Sequence, residues 1–171
     1  MVVHLTDLEG VLLFEPTVHR DARGYFLETY NERAFAEVGI AERFVQDNQS
    51  HSHRGVLRGL HYQVEKEQAK LIRVLQGTIF DVVVDLRKES KTFGKWTGVQ
   101  LAAAEMKAIW IPRGFAHGFY TLSESAEVCY KVTNFYSPES ERTLLWNDPQ
   151  LGIRWPFEGD PLLSEKDRSG H

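Results

Sequence analysis

The feature that most narrows what this chain can fold into is the close spacing of its turn residues, with the segments between them alternating apolar and polar. Segments this short leave little room for long helices, and their period of two predicts an all-β domain. Lys70 to Leu75, then Gln76-Gly77, then Ile79 to Leu86 read as a hairpin. In its second arm Phe80, Val82, Val84 and Leu86 share one face, and Asp81, Val83 and Asp85 the other. Segments 98–101, 108–111, 118–122 and 127–135 continue the series. Strands packed this densely, with Gly and Pro between them, predict a double-sheet jelly roll or a small barrel. Asn31 to Gly39 departs from the pattern: an N-cap, an acidic first turn and a terminal glycine predict a short helix. Beyond Tyr136 the alternation lapses into turns, and Ser164-Glu165-Lys166-Asp167 reads as the cap of a last helical turn.

No repeat, low-complexity run or linker divides the sequence, and residues 1–171 read as one domain. A chain of that length buries roughly 70% of its unfolded surface. The net charge of −4 supplies no basic field for nucleic acid or anionic lipid, so an anionic substrate has to be held by local Arg and Lys side chains. A single cysteine, Cys129, excludes an intrachain disulfide framework and fits a reducing compartment, and its strand-like neighbours predict a packed thiol. The N-terminus lacks the charged-then-apolar pattern of a secretion signal, and no apolar run approaches the ~20 residues that span a bilayer. A cytoplasmic protein is expected.

The chemistry concentrates in Gly55-Val56-Leu57-Arg58-Gly59-Leu60-His61-Tyr62-Gln63 and the nearby Lys70. Arginine suits a phosphate, histidine moves protons near neutral pH, and lysine steadies a developing negative charge. A lone histidine is more often structural, but this one keeps company with Arg58 and Lys70. Strict alternation puts Arg58 and His61 on opposite faces; both enter one pocket only if Gly59 bends or bulges the strand. A carboxylate on one ring nitrogen would fix the tautomer and raise the basicity of the other, and Asp81, Asp85 and Asp167 all qualify for His61. Tyr130 shares a face with Val128 and Val132, and its phenol is a competent proton donor to a carbanion. Strand tyrosines more often simply pack. Arg23 and Glu28, in an Arg-Gly turn followed by aromatics, suit a diphosphate and a base, although such turns are common on surfaces. Gln46 and Asn48 offer uncharged hydrogen bonds or, equally, ordinary turn chemistry.

A metal has to be weighed too. Gly55-x5-His61 and Pro112-x-Gly114-x2-His117 match the spacing of metal-binding jelly rolls, but the second histidine of the first motif is Gln63. Two histidines and a doubtful carboxylate beside Arg58 and Lys70 make a poor divalent-cation site, so no metal is expected. His51-Ser52-His53 follows a polar stretch and is expected to be exposed.

Gly55 to Gln63, Ile111 to Phe119, Tyr130-Lys131, Trp146-Asn147-Asp148-Pro149, Trp155-Pro156 and Leu163 to Asp167 together resemble the dTDP-4-dehydrorhamnose 3,5-epimerase family, from about Phe14 to Asp167. The resemblance implies a cupin-like jelly roll with short peripheral helices, working as a homodimer without metal or other cofactor, often with N-terminal strands exchanged between subunits. It implies a dTDP-linked 4-keto-6-deoxysugar as substrate, epimerised at C3 and C5 beside the C4 ketone. By position it makes His61 the base, Asp167 its support, Tyr130 the acid and Lys70 the enolate's partner. Substrate contacts would fall on Arg23, Glu28, Gln46, Asn48, Arg58, Lys70, His117, Glu141 and Lys166. A mono-epimerase or ketoisomerase of the same kind, a non-catalytic sugar-nucleotide-binding module and a metal-dependent cupin oxygenase are the competing readings.

Overall fold

A computed structural model of the chain describes residues 1–157 and 159–170. In chain order its elements are β1 (Val2–Leu5), β2 (Leu12–Glu15), β3 (Val18–Asp21), β4 (Gly24–Leu27), α1 (Glu32–Glu37), β5 (Gln46–His53), β6 (Leu57–Gln63), β7 (Lys70–Gln76), β8 (Thr78–Asp85), β9 (Trp96–Ala102), β10 (Ala108–Ile111), β11 (Phe115–Thr121), β12 (Ser125–Val132), β13 (Glu141–Thr143) and α2 (Glu165–Ser169). Two antiparallel sheets stack face to face, in the orders β1-β2-β10-β7-β12-β5 and β13-β6-β11-β8-β9, and β3 and β4 form a separate hairpin. The double-sheet alternative is the one adopted. Helix α1 lies where its signals placed it: the Asn31 side chain accepts from the backbone N–H groups of Arg33 and Ala34, and Phe35 stacks on Phe14 with ring centroids 4.7 Å apart.

The hairpin expected across Gln76-Gly77 does not form. β7 pairs with β10 and β12, whereas β8 pairs with β11 and β9, so the chain crosses from one sheet to the other at Gly77. Gly77 has φ 77° and packs so tightly that an added Cβ would lie 2.0 Å from the Ser125 carbonyl oxygen. Alternation with a central glycine describes a sheet-to-sheet corner as well as it describes a hairpin. Strand β13 was not foreseen either; its three polar residues carry no alternation, and it exists by pairing with the edge of β6. At the edge of the six-stranded sheet β1 pairs with β2 and β2 with β10.

The two faces of β8 are as the alternation implied, yet both are buried. Ile79 and Val83 join Ile72, Val74, Ile109 and Phe115 in the core between the sheets. Val82 and Val84 point outward and are covered by Leu144, Leu151, Ile153 and Trp155 from the irregular chain beyond β13. Among the described residues no helix is long and apolar enough to cross a membrane.

The strand irregularity required at Gly59 is present. His61 pairs with His117 and Arg58 with Phe119, so β6 carries one residue more than β11 over the same interval. This bulge turns Arg58 to the inner face alongside His61. Gly59 has φ 116°, and a Cβ there would lie 2.5 Å from Gly118 Cα and 2.7 Å from the His117 carbonyl oxygen, both backbone atoms that have nowhere to move. We therefore expect Gly59→Ala to destabilise the fold by about 2–4 kcal/mol, through the strained φ and the overpacking together. Urea unfolding should show a lower midpoint with an unchanged slope.

Candidate active site

Along the inner faces of the sandwich, every second residue changes character from one end of the fold to the other. On β7 the row Val74, Ile72 ends in Lys70; on β12 Val128 is followed by Tyr130; on β8 Val83 gives way to Asp81; on β11 Phe119 gives way to His117. The ionisable end opens into a cavity of about 510 Å³. Arg58, His61, Lys70, His117, Tyr130, Lys166 and Asp167 line it, between apolar walls that include Leu57, Phe119, Val128 and Leu163.

Two histidine–carboxylate pairs face this space. His61 Nε2 lies 2.6 Å from Asp167 Oδ1, and His117 Nε2 lies 2.8 Å from Asp81 Oδ2; the two histidines are direct ladder partners. The choice among three carboxylates is thereby resolved. Asp81 belongs to His117, Asp85 is held by Arg87, Ser90 and Thr92, and Asp167 meets His61. Burial pushes the Asp167 carboxyl up, but hydrogen bonds from His61, Ser164 and the Gly59 N–H, with the His61 charge, outweigh it and leave the group below its usual value. An ionised Asp167 only accepts, so it takes the proton on Nε2 and leaves Nδ1 as the basic nitrogen of His61. Burial is the largest influence on His117 and holds its pKa down despite the opposing pull of Asp81, which favours the neutral imidazole.

Tyr130 and Lys70 complete the walls. Burial raises the Tyr130 phenol above its ordinary value, with Arg58 opposing and Glu141 reinforcing, so the group keeps its proton at neutral pH. Burial pulls Lys70 down to about 8, against the favourable charges of Glu141 and Asp81 and with the repulsion of Lys166. Among the described residues no side chain hydrogen-bonds or ion-pairs with its ammonium.

The remaining expected site residues divide into three groups. Arg58 is in place, its Nε donating to Ser52 Oγ at 2.9 Å and a terminal nitrogen to the His51 carbonyl oxygen at 3.2 Å. Lys166 is in the cavity wall and pairs with Glu141, which also accepts from the Tyr136 hydroxyl at 2.8 Å; Glu141 thus reaches the site through Lys166. Gln46 and Asn48 do not line the cavity, although Asn48 is the ladder partner of Tyr130 and so continues the same face. The Gln46 amide is occupied by Asn48 and by the Tyr136 N–H.

Arg23 and Glu28 do not line the cavity within this chain. Arg23 lies in the turn of the β3–β4 hairpin and Glu28 just past β4, and the hairpin lies outside both sheets. Arg23 is exposed and paired with Asp21 at 2.6 Å, and Glu28 accepts from Asn31. Cavity residues not foreseen include Ser50, Phe119 and Ser164. Phe119 closes the motif Ile111 to Phe119, and in the sequence Ser164 carries only the signal of a helix cap. His51 and His53 are exposed, as expected. Gln63, where metal-binding jelly rolls carry a histidine, has its amide spent on the Lys66 and Phe135 carbonyls and the Ser137 N–H. Among the described residues no group of three His, Cys, Asp or Glu side chains is arranged to hold a metal ion.

The chain is similar to known sugar-nucleotide epimerases. The family described as dTDP-4-dehydrorhamnose 3,5-epimerase matches residues 5–171. A dTDP-4-dehydrorhamnose 3,5-epimerase of Pseudomonas aeruginosa is 58% identical over 164 residues, covering 95% of this chain and 91% of its own. The crystal structure of the dTDP-6-deoxy-D-glucose-3,5-epimerase of Legionella pneumophila, in complex with dTDP-4-keto-L-rhamnose, superposes with a TM-score of 0.94 at 48% identity, covering 97% and 89% of the two chains. That of a dTDP-4-dehydrorhamnose 3,5-epimerase from Bacillus anthracis, with TDP and PPi bound, gives 0.96 at 45% identity, covering 99% and 98%.

The Lys70 environment makes a stability prediction of definite sign. Below about pH 8 the ammonium is charged in both folded and unfolded chains, and folding bears the full desolvation cost. Between about 8 and the ordinary lysine value of 10.5 the folded chain binds fewer protons than the unfolded one, so its stability rises with pH. Lys70→Met should stabilise the fold by roughly 1–3 kcal/mol at pH 7. The gain should shrink by pH 10, as urea titrations at the two pH values would measure.

Proposed function

The chain belongs to the dTDP-4-dehydrorhamnose 3,5-epimerase family, and from that premise we propose that it converts dTDP-4-dehydro-6-deoxy-D-glucose into dTDP-4-dehydro-L-rhamnose by inverting C3 and C5. One observation carries the reading: His61 stands on the five-stranded sheet and Tyr130 on the six-stranded sheet, and both face the same cavity. A sugar ring lying between the sheets presents opposite faces to a base and an acid, and removal on one face with delivery on the other is inversion.

The C4 ketone acidifies the hydrogens on both neighbouring carbons, so one site serves two centres. His61 Nδ1 takes the proton, with Asp167 stabilising the imidazolium that forms. The enolate oxygen is steadied by the Lys70 ammonium, a contribution on the order of ~100-fold or more for a well-placed donor. The Tyr130 phenol then protonates the opposite face of the carbon. Each inversion leaves His61 with an extra proton and Tyr130 one short, and exchange with solvent resets both. Arg58 and Lys166 offer cations to the diphosphate.

Arg23 and Glu28 enter this scheme through a second copy of the chain. The β3–β4 hairpin carries Tyr25 and Phe26 at 59% and 70% exposure, an apolar surface that a homodimer would cover. In that dimer the hairpin of one protomer brings Arg23 and Glu28 to the other's cavity, beside Gln46 and Asn48. A reducing cytoplasm suits a protein whose lone thiol, Cys129, is half-buried and unpaired.

His61→Ala and Tyr130→Phe should each lower epimerisation by about 100- to 10,000-fold with the fold intact. NMR of deuterium uptake from D2O at C3 and C5 separates them, since Tyr130→Phe should retain more exchange than net inversion. Near-native turnover in both variants would remove the acid–base assignment. For the shared site, mixing inactive Arg23→Ala and His61→Ala proteins should restore activity, because some mixed dimers recover one intact site; no recovery on mixing would show that Arg23 works within its own chain or not at all.

A further inference from the structure

Ser164 makes two contacts with a single residue. Its hydroxyl donates to Asp167 Oδ2 at 2.8 Å and accepts from the Asp167 backbone N–H at 3.2 Å. The second contact is ordinary: Ser164 is the N-cap of α2, and a cap serine takes the amide three residues on. The first is not required by the helix. In a reciprocal capping box the acid three residues along reaches back to the cap's own amide. Here the Asp167 carboxylate has turned away from that duty, with Oδ2 on the Ser164 hydroxyl and Oδ1 on His61 Nε2. Asp167 is buried and Ser164 lines the same cavity; within α2 Ser164 is the group that fixes the carboxylate's rotation, and from outside the helix the carboxylate accepts from His61 and the Gly59 N–H.

We propose that Ser164 is a positioning residue of the epimerase, holding the Asp167 carboxylate in the rotation that presents Oδ1 to His61. The inference rests on His61 being the base. The chain of contacts runs from Ser164 through Asp167 to His61, a separation of 106 residues crossed in its last step. Released from Ser164, the carboxylate rotates toward other donors, the imidazolium loses part of its counter-charge, and His61 becomes a weaker base. The other charged or titratable groups facing His61 or its cavity are Arg58 on β6, His117 on β11, Glu141 on β13, Lys70 on β7, Tyr130 on β12 and Lys166 on α2. A substitution at Ser164 leaves all of them in place.

The test uses Ser164→Gly, because glycine is nearly as good an N-cap as serine and removes the hydroxyl while sparing the helix. Ser164→Thr keeps a hydroxyl and serves as the rescue. With dTDP-4-dehydro-6-deoxy-D-glucose as substrate, the glycine variant should lose roughly tenfold or more in kcat, as expected for a lost hydrogen bond to a charged group, with KM little changed. The acid limb of its pH–kcat/KM profile should move to lower pH, reporting the less basic histidine. The threonine variant should recover both, and melting temperatures should stay close across the series. Native kcat and an unmoved acid limb in Ser164→Gly would overturn the proposal, as would a loss that Thr does not rescue. His61→Ala run alongside distinguishes the two levels: if it is inactive while Ser164→Gly is native, only the positioning role falls, whereas an active His61→Ala removes the base on which the proposal stands.

Discussion

A two-sheet sandwich is held together by apolar side chains meeting between its sheets, and this one gives up part of that interior to ionisable groups. The cost of burying them is contained by pairing. His61 with Asp167, His117 with Asp81 and Arg58 with Ser52 each satisfy a polar group inside the fold. Lys70 and the Tyr130 hydroxyl are left without a side-chain hydrogen-bond partner among the described residues, and burial pulls Lys70 down to about 8. The rest of the architecture answers to this arrangement. The apolar half of the same strands supplies the core, and the irregular C-terminal chain covers the outer face of the five-stranded sheet, so both faces of β8 are dry.

The functional end is rigid because it is made from the sheets themselves. Five of its groups, Arg58, His61, Lys70, His117 and Tyr130, stand on strands hydrogen-bonded to neighbours on both sides, and the bulge at Gly59 admits Arg58 without breaking the ladder on either side of it. The hairpin that carries Arg23 is the opposite: a two-stranded ribbon outside both sheets, with its aromatic residues in solvent. An isolated ribbon of that kind is marginal on its own. It fits a part that becomes ordered by what it docks against.

Much of this was open to reading from residues alone, and the failures are instructive. Period-two alternation located β7, β8, β10 and β12 and placed Tyr130 on the inner face, because burial on one side leaves that mark directly in the sequence. The Gly59 irregularity was deducible from a conflict, since Arg58 and His61 could not otherwise share a pocket. Pairing partners were not deducible: a glycine between two alternating runs says that the chain turns, and Gly77 turns it into the other sheet. Nor could spacing choose Asp167 over Asp81 or Asp85, because a contact across 106 residues leaves no local trace. Arg23 and Glu28 lie away from the cavity of their own chain, at the hairpin turn and just past its second strand, and position along a chain does not reveal that a hairpin stands outside both sheets.

That long-range contact carries one more implication. His61 on β6 and Asp167 on α2 are brought together by the C-terminal chain that covers the outer face of the five-stranded sheet and bridges to it from Leu162 to Val56. Loop closure over so many residues is among the last gains of a folding chain. A partly folded or misassembled molecule can hold most of its strands and still possess no working base, so proton-transfer competence belongs only to the finished molecule. Catalysis here is a gauge of folding itself, silent until the final segment is home.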